Sequence, residues 1–101
     1  MNQYELALVI DAKLSNEIRD ETLAKVKSII EANKGTIIRV DDWGKQRLHY
    51  EIQNVKEAFY LFINFDASKS SVTVIEKSIR TTENVLRFII TKMEPHQTSL
   101  D

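Results

Sequence analysis

The sequence predicts an α+β fold in which two helices cover one face of a four-stranded antiparallel sheet, and three observations carry that prediction. Four segments show the apolar–polar alternation of strands, two show apolar residues at helical intervals, and their order along the chain is strand, helix, strand, strand, helix, strand. The first segment, "YELALVI", sets Tyr4, Leu6, Leu8 and Ile10 on one side of a strand and Glu5, Ala7 and Val9 on the other. Ser15 then offers a helix cap, and Ile18, Leu23, Val26, Ile29 and Ile30 form the apolar stripe of the helix behind it. Gly35 suits the residue beyond its end. The charged residues of this helix, Glu17, Asp20, Glu21 and Glu31 against Arg19, Lys25, Lys27 and Lys34, balance and read as solvated surface.

"TIIRVDDWGKQRLHYEI" is long for a single strand, and Gly44 in its middle predicts a bulge or bend. Beyond Gly44, Leu48, Tyr50 and Ile52 are expected on one face, with Lys45, Arg47, His49 and Glu51 on the other. "QNVKE" reads as a loop into "AFYLFINF", where Phe59, Leu61, Ile63 and Phe65 face a core and Tyr60, Phe62 and Asn64 face away. Aromatic residues on both sides place this strand inside the sheet rather than at its edge. "SSVTVIEKSIR" is β-branched, yet Val72, Ile75 and Ile79 recur at helical spacing behind capping serines, which predicts a helix. "NVLRFIITKM" closes the set as a strand with Leu86, Phe88 and Ile90 on one face and Val85, Arg87, Ile89 and Thr91 on the other.

Two right-handed crossovers joined by a hairpin give the ferredoxin-like βαββαβ plan. One domain over residues 1–93 is expected, followed by a loose tail, "EPHQTSLD", over 94–101. The plan leaves one sheet face open, and alternation assigns to it Glu5, Ala7, Val9, Lys45, Arg47, His49, Tyr60, Phe62, Arg87 and Ile89.

With 101 residues, 43% of them hydrophobic, and a formal net charge of −1, one modest core is possible and bulk charge draws the chain to neither nucleic acid nor an anionic membrane. Any electrostatic binding must therefore come from local clusters such as Lys45 and Arg47. The absence of cysteine removes disulfides, zinc–thiolate sites and thiol nucleophiles and fits a reducing compartment, so a cytoplasmic location is expected. Neither a signal sequence nor a membrane span is expected from the apolar runs. The two histidines, His49 and His96, lie on a strand and in the tail, without the third group that a relay or metal site needs. Asp41 and Asp42 read as turn residues, and Gly35 and Gly44 are too far apart to build a phosphate loop. No cofactor, metal or small-molecule substrate is expected. What remains is the combination of Lys45 and Arg47 with Tyr60 and Phe62, cations for phosphates and flat rings for stacking, which is the chemistry of RNA binding. A solvated edge beside an ordinary aromatic face accounts for the same residues.

The element order is shared with RNA-recognition-motif domains, but "EAFYLFINF" lacks the glycine of their third-strand signature and begins with Glu57 where a basic residue belongs. A closer resemblance covers about Met1 to Lys92. "YELALVI", "WGKQRLHYEI" followed by "EAFYLFINF", and "IRTTENVLRFIITK" together resemble the bacterial family of small-subunit ribosomal protein number six. That resemblance implies a ferredoxin-like domain without enzymatic activity. It implies binding to the central domain of small-subunit ribosomal RNA, paired with the small basic ribosomal protein number eighteen, and a part in assembling the small subunit in the cytoplasm. Carried over by residue, it implies that Tyr4, Lys45, Arg47, Arg80, Arg87 and Lys92 approach RNA, Lys45 and Arg47 lying against either the RNA or the partner protein. Tyr4 has two readings, a ring in the core and a hydroxyl that reaches a phosphate or sugar from the strand end. Trp43, Tyr60 and Phe62 are assigned to the partner protein, because exposed aromatic rings on a small polar domain mark protein contacts. Asn2, Gln3 and Thr82 are uncharged where some relatives are basic, and each phosphate left without a cation makes the salt dependence shallower by about 0.7–0.9 in slope. The competing functional class is a ferredoxin-like regulatory module that dimerises through its open sheet and binds a small ligand between subunits. A small phosphatase on this fold would need an anion cradle near the N-terminus, which the sequence lacks.

Overall fold

A computed structural model describes residues 2–13, 15–52 and 55–93, with the backbone alone at 48–52, 55 and 56. The expected facings of Leu48, His49, Tyr50, Glu51 and Ile52 lie outside the described side chains, and the tail at 94–101, with His96, lies outside the described residues. The elements are β1 (Asn2–Asp11), α1 (Asn16–Ala32), β2 (Thr36–Ile52), β3 (Val55–Ala67), α2 (Lys69–Arg80) and β4 (Val85–Lys92). They form the ferredoxin-like arrangement, a four-stranded antiparallel sheet of order β2-β3-β1-β4 under two helices. The stretch expected as a loop at 53–57 is shorter than that, since Val55 already pairs with Ile52 and β3 begins there.

The core follows from the alternation of the two interior strands. Tyr4, Leu6, Leu8 and Ile10 of β1 stand directly opposite Phe65, Ile63, Leu61 and Phe59 of β3, and all eight are buried. Opposed residues of an antiparallel pair project to the same face, so this double row makes the floor onto which the helices pack. From α1 come Val26 and Ile30, and from α2 Ile75 and Ile79, all fully buried. Burial of this size overrides the β-branched propensity of "SSVTVIEKSIR", with Ser68 capping α2 by accepting the Ser71 N–H at 3.2 Å. Ser15 caps α1 in the same way, accepting the Ile18 N–H at 3.2 Å.

Four local expectations are corrected. In α1 the inward position of the first turns belongs to Thr22, 4% exposed, whereas Ile18 is 36% exposed. Thr22 is tolerated inside because its hydroxyl donates to the Ile18 carbonyl at 2.8 Å. Arg19, expected on the solvated face, is largely covered, with 20% of its side chain exposed. In β4 an extra residue at Leu86 shifts the register between Val9 and Ile10 of β1, so Val85 joins the core with Phe88 and Ile90. After α1 the left-handed residue is Lys34 (φ 67°), not Gly35. Gly35 is required for closeness instead: its N–H reaches the Ile30 carbonyl at 2.8 Å, and a Cβ there would lie 2.6 Å from Ile30 Cγ2 and 2.9 Å from that carbonyl oxygen. Gly35→Ala is therefore expected to cost about 1–3 kcal/mol, as overpacking does. At about 4–8 °C per kcal/mol for a domain of this size, a thermal melt reads it directly, and an unchanged melting temperature would show that the turn yields.

Candidate functional site

The position of the candidate residues is decided by counting along β2. Asp41 is opposite Phe62 and Asp42 opposite Leu61, but the next pair is Gly44 with Tyr60, so Trp43 is an extra residue. This β-bulge uses Gly44 in the left-handed region (φ 72°), with the Gly44 N–H donating to Asp42 Oδ1 at 2.8 Å. An extra residue reverses the facing of everything beyond it. Lys45 is therefore opposite Phe59, and Arg47 opposite Glu57, on the helix side of the sheet. The expectation that Lys45 and Arg47 share the open face with Tyr60 and Phe62 is corrected: they stand on the opposite face of the same ribbon. His49 lies beyond a further irregularity between Arg47 and Ile52, and its side chain is outside those described.

Trp43 turns to the open face. Its ring meets Phe62 edge-on, with centroids 4.8 Å apart and planes at 88°, while 59% of the residue stays exposed. Tyr60, two residues before Phe62, lies on the same face, so the three aromatic candidates are brought together. Around them lie Ala7, Val9 and Ile89, the last 62% exposed, and the Arg39–Asp41 ion pair at 3.1 Å borders the cluster.

The six basic or phenolic candidates do not form one cluster. Lys45 and Arg47 are exposed on the β2 edge, at the level of Phe59 and Glu57, where the sheet passes from four strands to a two-stranded ribbon beyond the last β1 partner, Ala58. Arg80 and Arg87 lie at the other edge, about 14 Å away across three strand spacings. Arg80 ends α2, donates to Glu76 at 2.6 Å, and holds its guanidinium over the Phe88 ring at 5.9 Å. Arg87 is exposed on the open face opposite Val9. Between the two arginines is a shallow cleft of about 280 Å³ floored by Ile79, Val85, Leu86 and Phe88. Tyr4 and Lys92 are directly opposed at the far end of β4, five residues from Arg87 or roughly 17 Å along the strand. The Tyr4 ring is in the core, 6% exposed and stacked on Phe65 at 5.7 Å, while Lys92 is exposed.

Sequence reasoning missed Arg19 and Asp42. Arg19 donates to Asp20 at 3.1 Å and to Asp42 at 3.0 Å, and its guanidinium lies 4.9 Å over the centre of Phe59. A signal was present: Arg19 precedes Leu23 by four residues and Val26 by seven, which places it on the apolar stripe. Among the described residues no group of three or more His, Asp or Glu side chains is arranged to hold a metal, and no helix is long and apolar enough to cross a membrane.

Comparison with known proteins agrees with this geometry. The family model described as "Ribosomal protein S6" matches residues 3–92. The small ribosomal subunit protein bS6 of Alkaliphilus oremlandii is 36% identical over 94 residues, 93% of this chain and 99% of that protein. Its counterpart in Desulfitobacterium hafniense is 33% identical over the same length, again 93% of this chain and 99% of the relative. The crystal structure of 30S ribosomal protein S6 from Thermotoga maritima superposes with a TM-score of 0.86 at 28% identity, covering 91% of this chain and 87% of that one. A match along almost the whole length, in sequence and in fold alike, means that the chain belongs to the ribosomal protein S6 family.

Proposed function

We propose that this chain is a structural component of the small ribosomal subunit in the cytoplasm, without enzymatic activity. It binds the central domain of the ribosomal RNA jointly with the small basic ribosomal protein number eighteen. Besides family membership, one observation carries the reading: the bulge at Trp43 and Gly44 puts an aromatic cluster and a basic pair on opposite faces of one ribbon. A protein clamped on Trp43, Phe62 and Tyr60 leaves Lys45 and Arg47 free for phosphates, so two macromolecules fit at once. Arg80 and Arg87 at the other edge, and Lys92 with the Tyr4 hydroxyl at the far end, supply separate RNA contacts and make the footprint broad and shallow. Scattered contacts of this kind suit a large irregular RNA surface better than a small ligand.

The net charge of −1 argues against strong binding to RNA by this chain alone, since affinity for phosphates rises with the number of cations that release counterions. The basic partner supplies what this chain lacks. The test mixes the purified chain, the partner protein and the ribosomal RNA fragment, and repeats the measurement with each component omitted. Tight binding is expected only with all three present, with the chain alone at least tenfold weaker, or about 1.4 kcal/mol. A chain that ignores the partner and the RNA but forms a stable homodimer through its open face would replace this reading with the regulatory-module one.

A further inference from the structure

We propose that Arg19 and Asp42 form a positioning clasp that holds the β2 bulge, and so assigns Trp43 to the open face and Lys45 and Arg47 to the helix face. The Asp42 carboxylate is divided between two tasks. Oδ1 accepts the Gly44 N–H at 2.8 Å, which fixes the left-handed turn of the bulge, and Oδ2 accepts Arg19 Nη1 at 3.0 Å, which ties that turn to helix α1. Arg19 is itself immobilised, stacked over Phe59 at 4.9 Å and held by Asp20 at 3.1 Å.

The need for such a device follows from where it sits. Beyond Asp42, β2 is an edge strand paired only with β3, and a strand with a single neighbour is weakly specified in register. The same residues in an unbulged strand would place Trp43, Lys45 and Arg47 on one face. That alternative differs by a single residue of slip, and the contacts made by Asp42 distinguish the two. Asp42 also separates like charges, because the cross-strand neighbour of Phe59 is Lys45 and the ring carries the Arg19 guanidinium. A further sign is the cost accepted at this point: Arg19 Nε is buried and has no hydrogen-bond acceptor among the described residues. An unsatisfied buried N–H is destabilising, and simple cover for Phe59 would not require it, as a methionine stem provides the same area without a stranded donor. The guanidinium is there for the two carboxylates its other nitrogens reach.

Both residues act through others, and the test reads position directly. Trp43 is the one tryptophan of the chain, so its nuclear Overhauser signals to the Phe62 ring report the open-face assignment without ambiguity. Signals between Lys45 and Phe59 report the helix-face assignment. Asp42→Ala and Arg19→Met are each expected to abolish both sets while the amide resonances of β1 and β4 stay in place. The double variant is expected to match Asp42→Ala alone, because one clasp is broken only once. Asp42→Asn, which keeps an acceptor for the Gly44 N–H, is expected to restore part of the Trp43–Phe62 signal. If Asp42→Ala does not fold, Arg19→Met carries the same comparison, since it retains both the cover on Phe59 and the Asp42–Gly44 bond. Unchanged Overhauser signals in folded Arg19→Met overturn the proposal, as do additive effects in the double variant.

The functional meaning of the clasp rests on the site assignments of the proposed function, and joint binding measured on Arg19→Met separates the two. Abolished signals with weakened binding support both. Abolished signals with unchanged binding support the clasp and remove Trp43, Lys45 and Arg47 from the binding surfaces.

Discussion

Replacing Phe65 by Ala is expected to destabilise the fold by about 3–5 kcal/mol, the range for deleting a buried aromatic ring. Phe65 is fully buried, stacks on Tyr4 with centroids 5.7 Å apart, and is opposed by Tyr4 on one neighbouring strand and Ile37 on the other. No neighbour closes the gap cheaply, because two of its walls are sheet backbone. With a total stability of roughly 5–15 kcal/mol for a domain of this kind, the loss is a large share, and the melting temperature falls on the order of 12–40 °C at about 4–8 °C per kcal/mol. Phe62→Ala is the matched control. It lies three residues earlier on the open face, half-buried, and its main partner is the exposed Trp43 ring. An aromatic pair of this type contributes about 0.5–1.5 kcal/mol, so Phe62→Ala is expected to shift the melt by only a few degrees. Thermal unfolding of the two variants, followed by circular dichroism, checks which face of β3 the helices cover. Equal losses would contradict the two-sided sheet on which every facing depends.

The strength of that core is also why so much of the fold was legible in the sequence. The alternation of Leu6, Leu8 and Ile10 against Leu61, Ile63 and Phe65 is period-two on both interior strands, and no register that buries one row exposes the other. In α2, Val72, Ile75 and Ile79 outweighed the strand propensity of their neighbours because burial is worth more than local preference. Legibility failed at the edges, and for one reason. A bulge adds a residue without changing the local pattern of polar and apolar side chains, so Ile38, Trp43 and Leu86 each read as ordinary members of an alternation. Gly44 marked the bend, but only the partner strand shows how many residues oppose it. The consequence fell on the residues of most interest, since Lys45 and Arg47 lie past the bulge and take the face opposite to the one alternation predicts. Arg19 was obscure for a related reason. A long cation at an apolar position reads as surface, and its value becomes visible only when Phe59 and Asp42 arrive from elsewhere in the chain.

Trp43→Ala is expected to weaken binding of the basic partner protein about 30-fold or more, whereas Lys45→Ala with Arg47→Ala leaves that binding intact and acts on the RNA. The first figure follows from the role of exposed aromatic anchors, whose truncation at the centre of an interface costs about 2 kcal/mol or more. The second variant removes two cations from the helix face. If each neutralises a phosphate, the slope of log affinity against log salt becomes shallower by about 1.4–1.8, at roughly 0.7–0.9 per cation. Trp43 carries no charge, so its variant keeps the salt slope of joint binding while lowering the affinity. Neither change should move the melting temperature by more than a few degrees, as Trp43, Lys45 and Arg47 are all exposed. Linkage sharpens the test further. Whatever factor the partner contributes to RNA affinity, the RNA contributes to partner affinity. Trp43→Ala must therefore weaken RNA binding in the presence of the partner and leave the chain's own feeble RNA binding untouched in its absence. Titrations with and without partner, each at several salt concentrations, separate these outcomes. A Trp43 variant that alters the salt slope, or a Lys45 and Arg47 variant that fails to bind the partner without RNA present, would mean that the two faces of the ribbon serve one binding partner and not two.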